Sequence, residues 1–358
     1  MKKIIITKKT KIYVMAPTNT FTGGPELLHQ LAYNLKKVFK NDSSMFYLPD
    51  LDSRVVHRNF TKFKLNYSNY IKDDPENILI IPEHYMFLKH TLKYKKIKKV
   101  LWWLSIDNFY GYKFRYDFNK FLRSIIKIPF NLIKLFNRAT NYYFGMLTYY
   151  NYLKFIYKPV DLKKIKELEQ IDMHLTQSIY AFKYLKDIFK NIKYLSDFQR
   201  SVILKNRNNN LRYKKNLICY SNKSNEFIDK IKNITKLKMI KLSGYNDKQI
   251  INIFKKTKLY LDFGHHPGKD RMPREAVLFD NCIITNKRGS AKNKYDIPIN
   301  SKYKYNENLN NLKKIKILII NIFENYKKEL KNFSYYKKKI LKEKSNFDKD
   351  LKKIFIKK

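Results

Sequence analysis

Between Asp262 and Ala291 the chain reads DFGHHPGKDRMPREAVLFDNCIITNKRGSA. Cations, acids and two adjacent histidines crowd the connection between two apolar runs, KLYLDFG and CIITN. Pro273 sits where a first helical residue is expected, because its missing N–H is not needed there. On that reading Arg274 and Glu275 fall in the first turn, where free N–H groups and the helix dipole favour an anion. Lys269 and Arg271 precede the turn, and Lys287, Arg288 and Ser290 follow the next strand. An arginine fork, lysine point charges and a helix start together suit a diphosphate. Glu275, an acid among bases, could accept the two hydroxyls of a ribose or sugar; the alternative is a capping acid in a solvated basic loop. His265 and His266 either cap strand backbone or contact a sugar. They are poorly disposed as a metal pair, since strand neighbours point to opposite faces.

Two further pairs could move a proton. Glu83 and His84 follow the apolar run NILIIP, and Asp107 and Asn108 follow KVLWWLSI. A carboxylate or imidazole at either place can take the proton of a hydroxyl; the alternative for each is capping the helix that follows. His29 reads as a helix-surface residue and His174 as a structural one at the start of a strand.

Elements of a repeated βα rhythm must position these residues. KIYVMAP (11–17) reads as a strand, TNTFTGGPE as a turn and Leu27 to Phe39 as a helix, which is the opening of a βαβ unit. NILIIP (77–82), KVLWWLSI (99–106) and DMHLTQS (172–178) read as further strands, the last leading into the helix IYAFKYLKDIF. Such continuous apolar runs mark parallel strands buried on both faces. The rhythm restarts after KNRNNNLRYKK (205–215), a polar stretch without apolar periodicity. NLICYS, KMIKLSG, KLYLDFG and CIITN are predicted strands there, alternating with the helices SNEFIDKIKN, DKQIINIFKKT and PREAVLFDN. Domain boundaries follow: 1–205, a linker at 206–215, 216–305, and one or two closing helices over 306–358. The fold class is α/β, with two Rossmann-like domains facing a cleft. Ligands of such sheets sit beyond the carboxyl ends of the strands. That places Gly23 and Gly24, Ser221 and Lys223, and the 262–291 stretch in three candidate ligand loops.

The chain has 358 residues, 44% of them apolar, and a formal charge of +46. Such a charge fits nucleic acid or anionic lipid as a partner. The dominance of Lys, Asn, Ile, Tyr and Phe is also what an AT-rich coding sequence would produce. Basic residues are spread along the chain and no nucleic-acid-binding signature accompanies them. A basic nucleic-acid-binding protein is therefore the second reading. Cys219 and Cys282 lie in predicted buried strands, with no disulfide or zinc spacing. Lys8, Lys9 and Lys11 cut the apolar start far short of a signal peptide, and no run is long enough to span a membrane. A cytoplasmic protein is expected.

Residues 110–160 hold nine Lys or Arg against the single acid Asp117. Lys120, Arg123, Lys127, Lys134 and Arg138 fall within an arc of about 60° on a helix, with Phe, Leu and Ile opposite. That basic amphipathic pattern suits peripheral docking on an anionic membrane surface; the alternative is a docking helix with a solvated lysine face.

The run PGKDRMPREA, helix, NCIITN, KRGSA resembles the nucleotide-sugar site of GT-B glycosyltransferases of the group 1-like superfamily. Glu275-Ala276-Val277-Leu278 is similar to that superfamily's helix-opening "EA-apolar-apolar" signature. Gly23-Gly24-Pro25-Glu26 is similar to its N-terminal Gly-Gly-x-Glu turn, and Lys223 falls near its phosphate-binding cation. A second acid common in the family is replaced by Pro267. The resemblance covers roughly 12–40 and 216–300.

It implies a metal-independent glycosyltransferase moving a hexosyl or deoxyhexosyl group from a nucleotide-diphosphate sugar to a glycan or lipid-linked acceptor, in surface polysaccharide synthesis. Donor contacts would come from Gly23, Gly24, Ser221, Lys223, His265, His266, Lys269, Arg271, Arg274, Glu275 and Ser290, and catalysis from Glu83, His84 or Asp107. No cofactor or metal is expected beyond the donor itself, and no nucleic acid. A GT-B type nucleotide-sugar epimerase is the remaining alternative.

Overall fold

The structure, a computed structural model, describes residues 4–48, 56–125, 160–207, 210–224 and 226–358. The chain forms two compact units. One comprises Met1–Leu175, Tyr184–Lys193 and Phe355–Lys358, and the other Thr176–Lys183 and Tyr194–Ile354.

Along the chain to Tyr194 the strands are β1 (Ile4–Ile6), β2 (Ile12–Pro17), β3 (Ser43–Leu48), β4 (Ile78–Pro82), β5 (Lys98–Trp103), β6 (Met173–Thr176) and β7 (Ile192–Tyr194). Between them run helices α1 (Gly23–Phe39), α2 (Tyr85–His90), α3 (Ile106–Ile125), α4 (Lys166–Glu169) and α5 (Ile179–Leu185). Six strands form one sheet in the order β3-β2-β4-β5-β6-β7, and β3, β2, β4 and β5 pair in parallel. Ile12 to Ala16, Ile78 to Ile81 and Val100 to Trp103 are all buried. Helices on both faces of a parallel sheet require such uninterrupted apolar strands. Because β2 lies between β3 and β4, the strand order reverses beside it. The loops after β2 and β4 therefore border the crevice where open α/β sheets take ligands.

The second unit continues with α6 (Ser201–Asn206), β8 (Lys215–Ser221), α7 (Phe227–Thr235), β9 (Met239–Leu242), α8 (Asp247–Lys256), β10 (Thr257–Asp262), α9 (Arg271–Leu278), β11 (Cys282–Asn286) and β12 (Lys304–Tyr305). Its sheet is parallel, in the order β12-β11-β10-β8-β9, and the order reverses at β8. Cys219 and Cys282 are free thiols buried in β8 and β11.

Several expectations need correction. Four helices, not one or two, close the second unit: α10 (Leu312–Glu324), α11 (Tyr326–Lys331), α12 (Ser334–Leu341) and α13 (Glu343–Ile354). Their Lys-rich periodicity runs on without a break strong enough to mark the turns. The chain then ends in β13 (Phe355–Lys357), which pairs in parallel with β1 and belongs to the first unit. The units divide around 176–194 rather than at 206–215, where α6 and β8 already belong to the second unit. β3 escapes notice in the sequence because its first residues, Ser43 and Ser44, are polar although buried. His29 is buried rather than on the helix surface. A short 3-10 segment, Arg58–Phe63, covers α1 and stacks Phe60 on the imidazole at 4.0 Å. Burial pushes the His29 imidazole down to about 4, and its nitrogens meet the Pro25 carbonyl and the Tyr47 hydroxyl. His174 is structural as expected. It is buried in β6, accepts the Trp103 indole N–H and stacks on Phe189 at 3.8 Å.

The backbone of α3 covers the start of the basic aromatic segment at 110–160. Residues 126–159, which include Lys127, Lys134 and Arg138, lie outside the described residues, as do the side chains of Lys120 and Arg123. Among the described residues no helix is long and apolar enough to cross a membrane.

Candidate functional site

β8 ends at Ser221 and β10 at Asp262, and the two strands are neighbours at the reversal point of the second sheet. Their following loops pack against each other. A Cβ on Gly264 would lie 2.8 Å from the Lys223 Cβ and 3.1 Å from its backbone, so only glycine allows this approach. The loop after β11 closes the group from the other side. Gly289 has φ +50°, and a Cβ there would lie 2.0 Å from the His266 carbonyl oxygen. The Ser290 amide donates to that carbonyl at 2.9 Å and its hydroxyl donates to the Gly268 carbonyl. Ser290, expected at a diphosphate, is buried and clamps loop backbone instead.

α9 opens at Arg271 with Asp270 as its cap residue, so Pro273 is its third residue rather than its first. The earliest helical N–H groups have no partner inside the helix, and a proline is tolerated anywhere in that first turn. Arg274 and Glu275 consequently stand in the second turn.

Asp270 makes no side-chain bond to the helix it begins. Its carboxylate accepts from Lys223 Nζ at 3.2 Å and lies 3.0 Å from His266 Nδ1. The other His266 nitrogen, Nε2, lies 3.6 Å from Asp262 Oδ1. Asp262 in turn accepts from the Tyr260 hydroxyl at 2.7 Å and the Gly264 amide at 3.2 Å. Burial opposes charge on both groups of the central pair, but their neighbours outweigh it. Lys223 and His266 hold the Asp270 carboxyl well below the usual range, and Asp262 and Asp270 raise the His266 imidazole above its ordinary value. Asp270 raises Lys223 likewise. Lys223 itself remains part-exposed, and its amide donates to the buried Ser221 hydroxyl at 3.2 Å.

Lys269 and Arg274 are elsewhere than expected. Lys269 Nζ donates to Glu343 Oε1 at 2.8 Å and to the Ser196 hydroxyl at 2.7 Å. Arg274 is fully buried, donating to Asp197 Oδ2 at 2.6 Å and Glu343 Oε2 at 2.9 Å. Two cations and two carboxylates cancel there, and no buried charge is left without a partner, as burial demands. Burial works against ionisation of Asp197, yet Arg274 and Lys269 bring its carboxyl below the ordinary value. These residues fasten α9 to α13 and to the segment after β7; they are not placed as loose diphosphate ligands.

Glu275 is also buried, but its environment is incomplete. Oε1 accepts from Arg200 at 3.3 Å, while Oε2 has no hydrogen-bond partner. Burial raises the carboxyl against the pull of Arg200 and Arg271. Arg200 also pairs with Asp247 at 2.6 Å. His265 in the loop after β10 and Arg271 at the start of α9 are both half-buried. The sequence reading missed Asp197, Arg200, Asp270 and Glu343. The nearest available signal was the DFQR run before α6, a polar group between apolar Leu195 and Ile203.

In the first unit, Gly23 and Gly24 form the first turn of α1 rather than a free loop, and Thr22 caps it without a side-chain bond. A Cβ on Gly24 would meet the Leu104 side chain at 3.5 Å. Glu83 is buried after β4 and accepts from the Leu104 amide at 3.2 Å. Burial pushes its carboxyl up to about 7. His84 caps α2, accepting from the Met86 amide at 3.3 Å, and stacks on Tyr112 at 3.9 Å. The capping alternative thus describes His84. Asp107 stands in the first turn of α3, where Ser105 accepts the Asn108 amide at 3.0 Å. Among the described residues no group of three or more His, Cys, Asp and Glu is placed to hold a metal ion.

No protein-family model and no curated protein sequence matches the chain. Its structure is similar to crystal structures of HepE from Anabaena. The HepE complex with UDP and glucose gives a TM-score of 0.56 at 10% identity, covering 96% of this chain and 98% of that one. The complex with UDP-glucose gives 0.54 at 9% identity, covering 96% and 99%. The chain has a GT-B glycosyltransferase fold, built from two Rossmann-like α/β units with C-terminal helices.

Proposed function

We propose that the chain is a glycosyltransferase using a nucleotide-diphosphate sugar as donor. The observation that carries this reading is Glu275, whose one oxygen is fixed by Arg200 while the other is a buried acceptor without a protein partner. A ribose or sugar hydroxyl is the kind of donor that such an oxygen needs. Lys223, in the loop after β8 at the reversal point, and Arg271, at the start of α9, supply positive charge for the diphosphate. HepE, which shares the fold, was crystallised with UDP-glucose and with UDP.

In the proposed step the acceptor oxygen bonds to the sugar's anomeric carbon as the bond from that carbon to the diphosphate breaks. Lys223 and Arg271 bear the charge that develops on the departing nucleoside diphosphate, so a divalent metal is not required. Glu83 is the candidate for taking the acceptor hydroxyl's proton, because a carboxyl titrating near neutrality is suited to that exchange. The acceptor class proposed is a glycan or lipid-linked glycan of surface polysaccharide synthesis.

A thermal-shift panel of UDP-, GDP-, CMP- and dTDP-sugars tests the donor. A ligand at one hundred times its Kd stabilises by about 2.7 kcal/mol, so one member of the panel should raise the melting temperature by several degrees. No shift with any of them would overturn the proposal.

A further inference from the structure

An anion site that contains a carboxylate poses a problem of charge. Asp270 stands at the start of α9, bonded to the cation proposed to meet the donor's phosphate. Left alone, its negative charge would repel that phosphate and hold Lys223 to itself. Its second oxygen faces His266, which is completely buried and lies between Asp270 and Asp262 at ion-pair distances of 3.0 and 3.6 Å. Neither imidazole nitrogen makes an aligned hydrogen bond, so the ring acts here through its charge. With His266 protonated, Asp262, His266, Asp270 and Lys223 sum to zero; with it neutral, they sum to −1.

We infer that His266 is a positioning residue whose positive charge offsets Asp270, freeing Lys223 to engage the diphosphate of a nucleotide sugar. The inference rests on the donor reading above and adds the residue that regulates it. Three backbone features hold the imidazole in place: the Gly264 approach to Lys223, the Gly289 approach to the His266 carbonyl, and the Ser290 amide bonded to that carbonyl. The groups facing it are Asp262 from β10, Asp270 from the start of α9 and Lys223 from the loop after β8, with the Tyr260 hydroxyl behind Asp262. Asp262 and Asp270 favour the imidazolium and Lys223 opposes it, the two acids prevailing. Rising pH should therefore remove the compensating charge and weaken donor binding.

The test is calorimetric titration of UDP-glucose, GDP-mannose and dTDP-rhamnose between pH 6 and 8.5, where neither base nor diphosphate diester changes charge. Wild type is compared with His266→Gln, Asp270→Asn and the double variant. His266→Gln should weaken the bound donor about tenfold or more at pH 6, as an uncompensated charge a few ångströms from a phosphate requires. Adding Asp270→Asn should restore affinity to within about threefold, because the charge needing compensation is gone. The wild-type advantage over His266→Gln should shrink as pH rises.

Unchanged affinity in His266→Gln, or no recovery in the double variant, overturns the inference. If His266→Gln fails to melt cooperatively, Asp270→Asn alone decides. Affinity equal to or tighter than wild type supports the offset, and a tenfold loss overturns it. Failure of every nucleotide sugar to bind wild type refutes the donor reading instead, a result distinct from binding that ignores the charge of His266.

Discussion

Lys223 and Lys269 are both lysines in loops that leave the carboxyl ends of parallel strands, yet the structure places them in opposite settings. Lys269 is buried against Glu343 and Asp197, whereas the Lys223 side chain is 37% exposed and tied to one carboxylate. Removing one partner of a buried pair strands the others, at a cost of about 3–5 kcal/mol. Lys269→Ala and Arg274→Ala should each lower unfolding free energy by that amount in chemical denaturation. Lys223→Ala should leave the denaturation midpoint near wild type and weaken nucleotide-sugar binding by about 1.5–3 kcal/mol, the worth of a charged hydrogen bond. Equal stability losses in all three would remove the distinction. Glu83 gives a pH prediction of definite sign. Its folded carboxyl titrates near 7, above its ordinary 4.5, so the native state holds the proton more tightly. The stability it contributes is complete below about pH 4.5 and is lost as pH rises through 7. Glu83→Gln, which mimics the neutral acid, should make the stability profile flatter over that window. A profile as steep as wild type would show that burial does not hold the proton there.

Two glycines do at the level of elements what the charged residues do at the level of atoms. Gly264 lets the loop after β10 touch the loop after β8, and Gly289 lets the loop after β11 turn under His266. Gly264→Ala should move the Lys223 loop and weaken donor binding. Gly289→Ala should reduce stability by more than about 1 kcal/mol, since it adds a clash to a left-handed backbone that alanine resists. A melt of Gly289→Ala identical to wild type would contradict this packing. Most of these elements were legible in the sequence. β4, β5, β8 and β11 each contain a continuous apolar run, and CIITN matches its strand residue for residue. The ion-pair partners were not legible, for a physical reason. Asp197 and Glu343 lie about seventy residues or more from Arg274 along the chain, and nothing in local spacing distinguishes a lysine that folding will bury from one that it will leave in water. Glu275 stood out as an acid among bases in a run that resembles a family pattern, but taking Pro273 for the first helical residue misplaced the turn on which it stands.

At the scale of the molecule, the charge of +46 divides into cations with different tasks. Lys214 and Lys304 are buried and each donates to three backbone carbonyls, holding loops of the second unit together. Lys269 and Arg274 are neutralised inside the same unit. Of the cations around α9, Lys223 and Arg271 are the proposed donor contacts. Each of the two sheets reverses its strand order beside its first long strand, the place where open α/β sheets take ligands. The proposed function makes consumption of a nucleotide sugar dependent on Glu275 and independent of a metal. Its most direct measurement is nucleoside diphosphate release from the donor that gives the largest thermal shift, with a mixed glycan acceptor and excess EDTA, for wild type and Glu275→Gln. Release by wild type should persist in EDTA and fall about a hundredfold or more in Glu275→Gln, whose unfolding remains cooperative. Release abolished by EDTA and restored by manganese, or undiminished in Glu275→Gln, would contradict it.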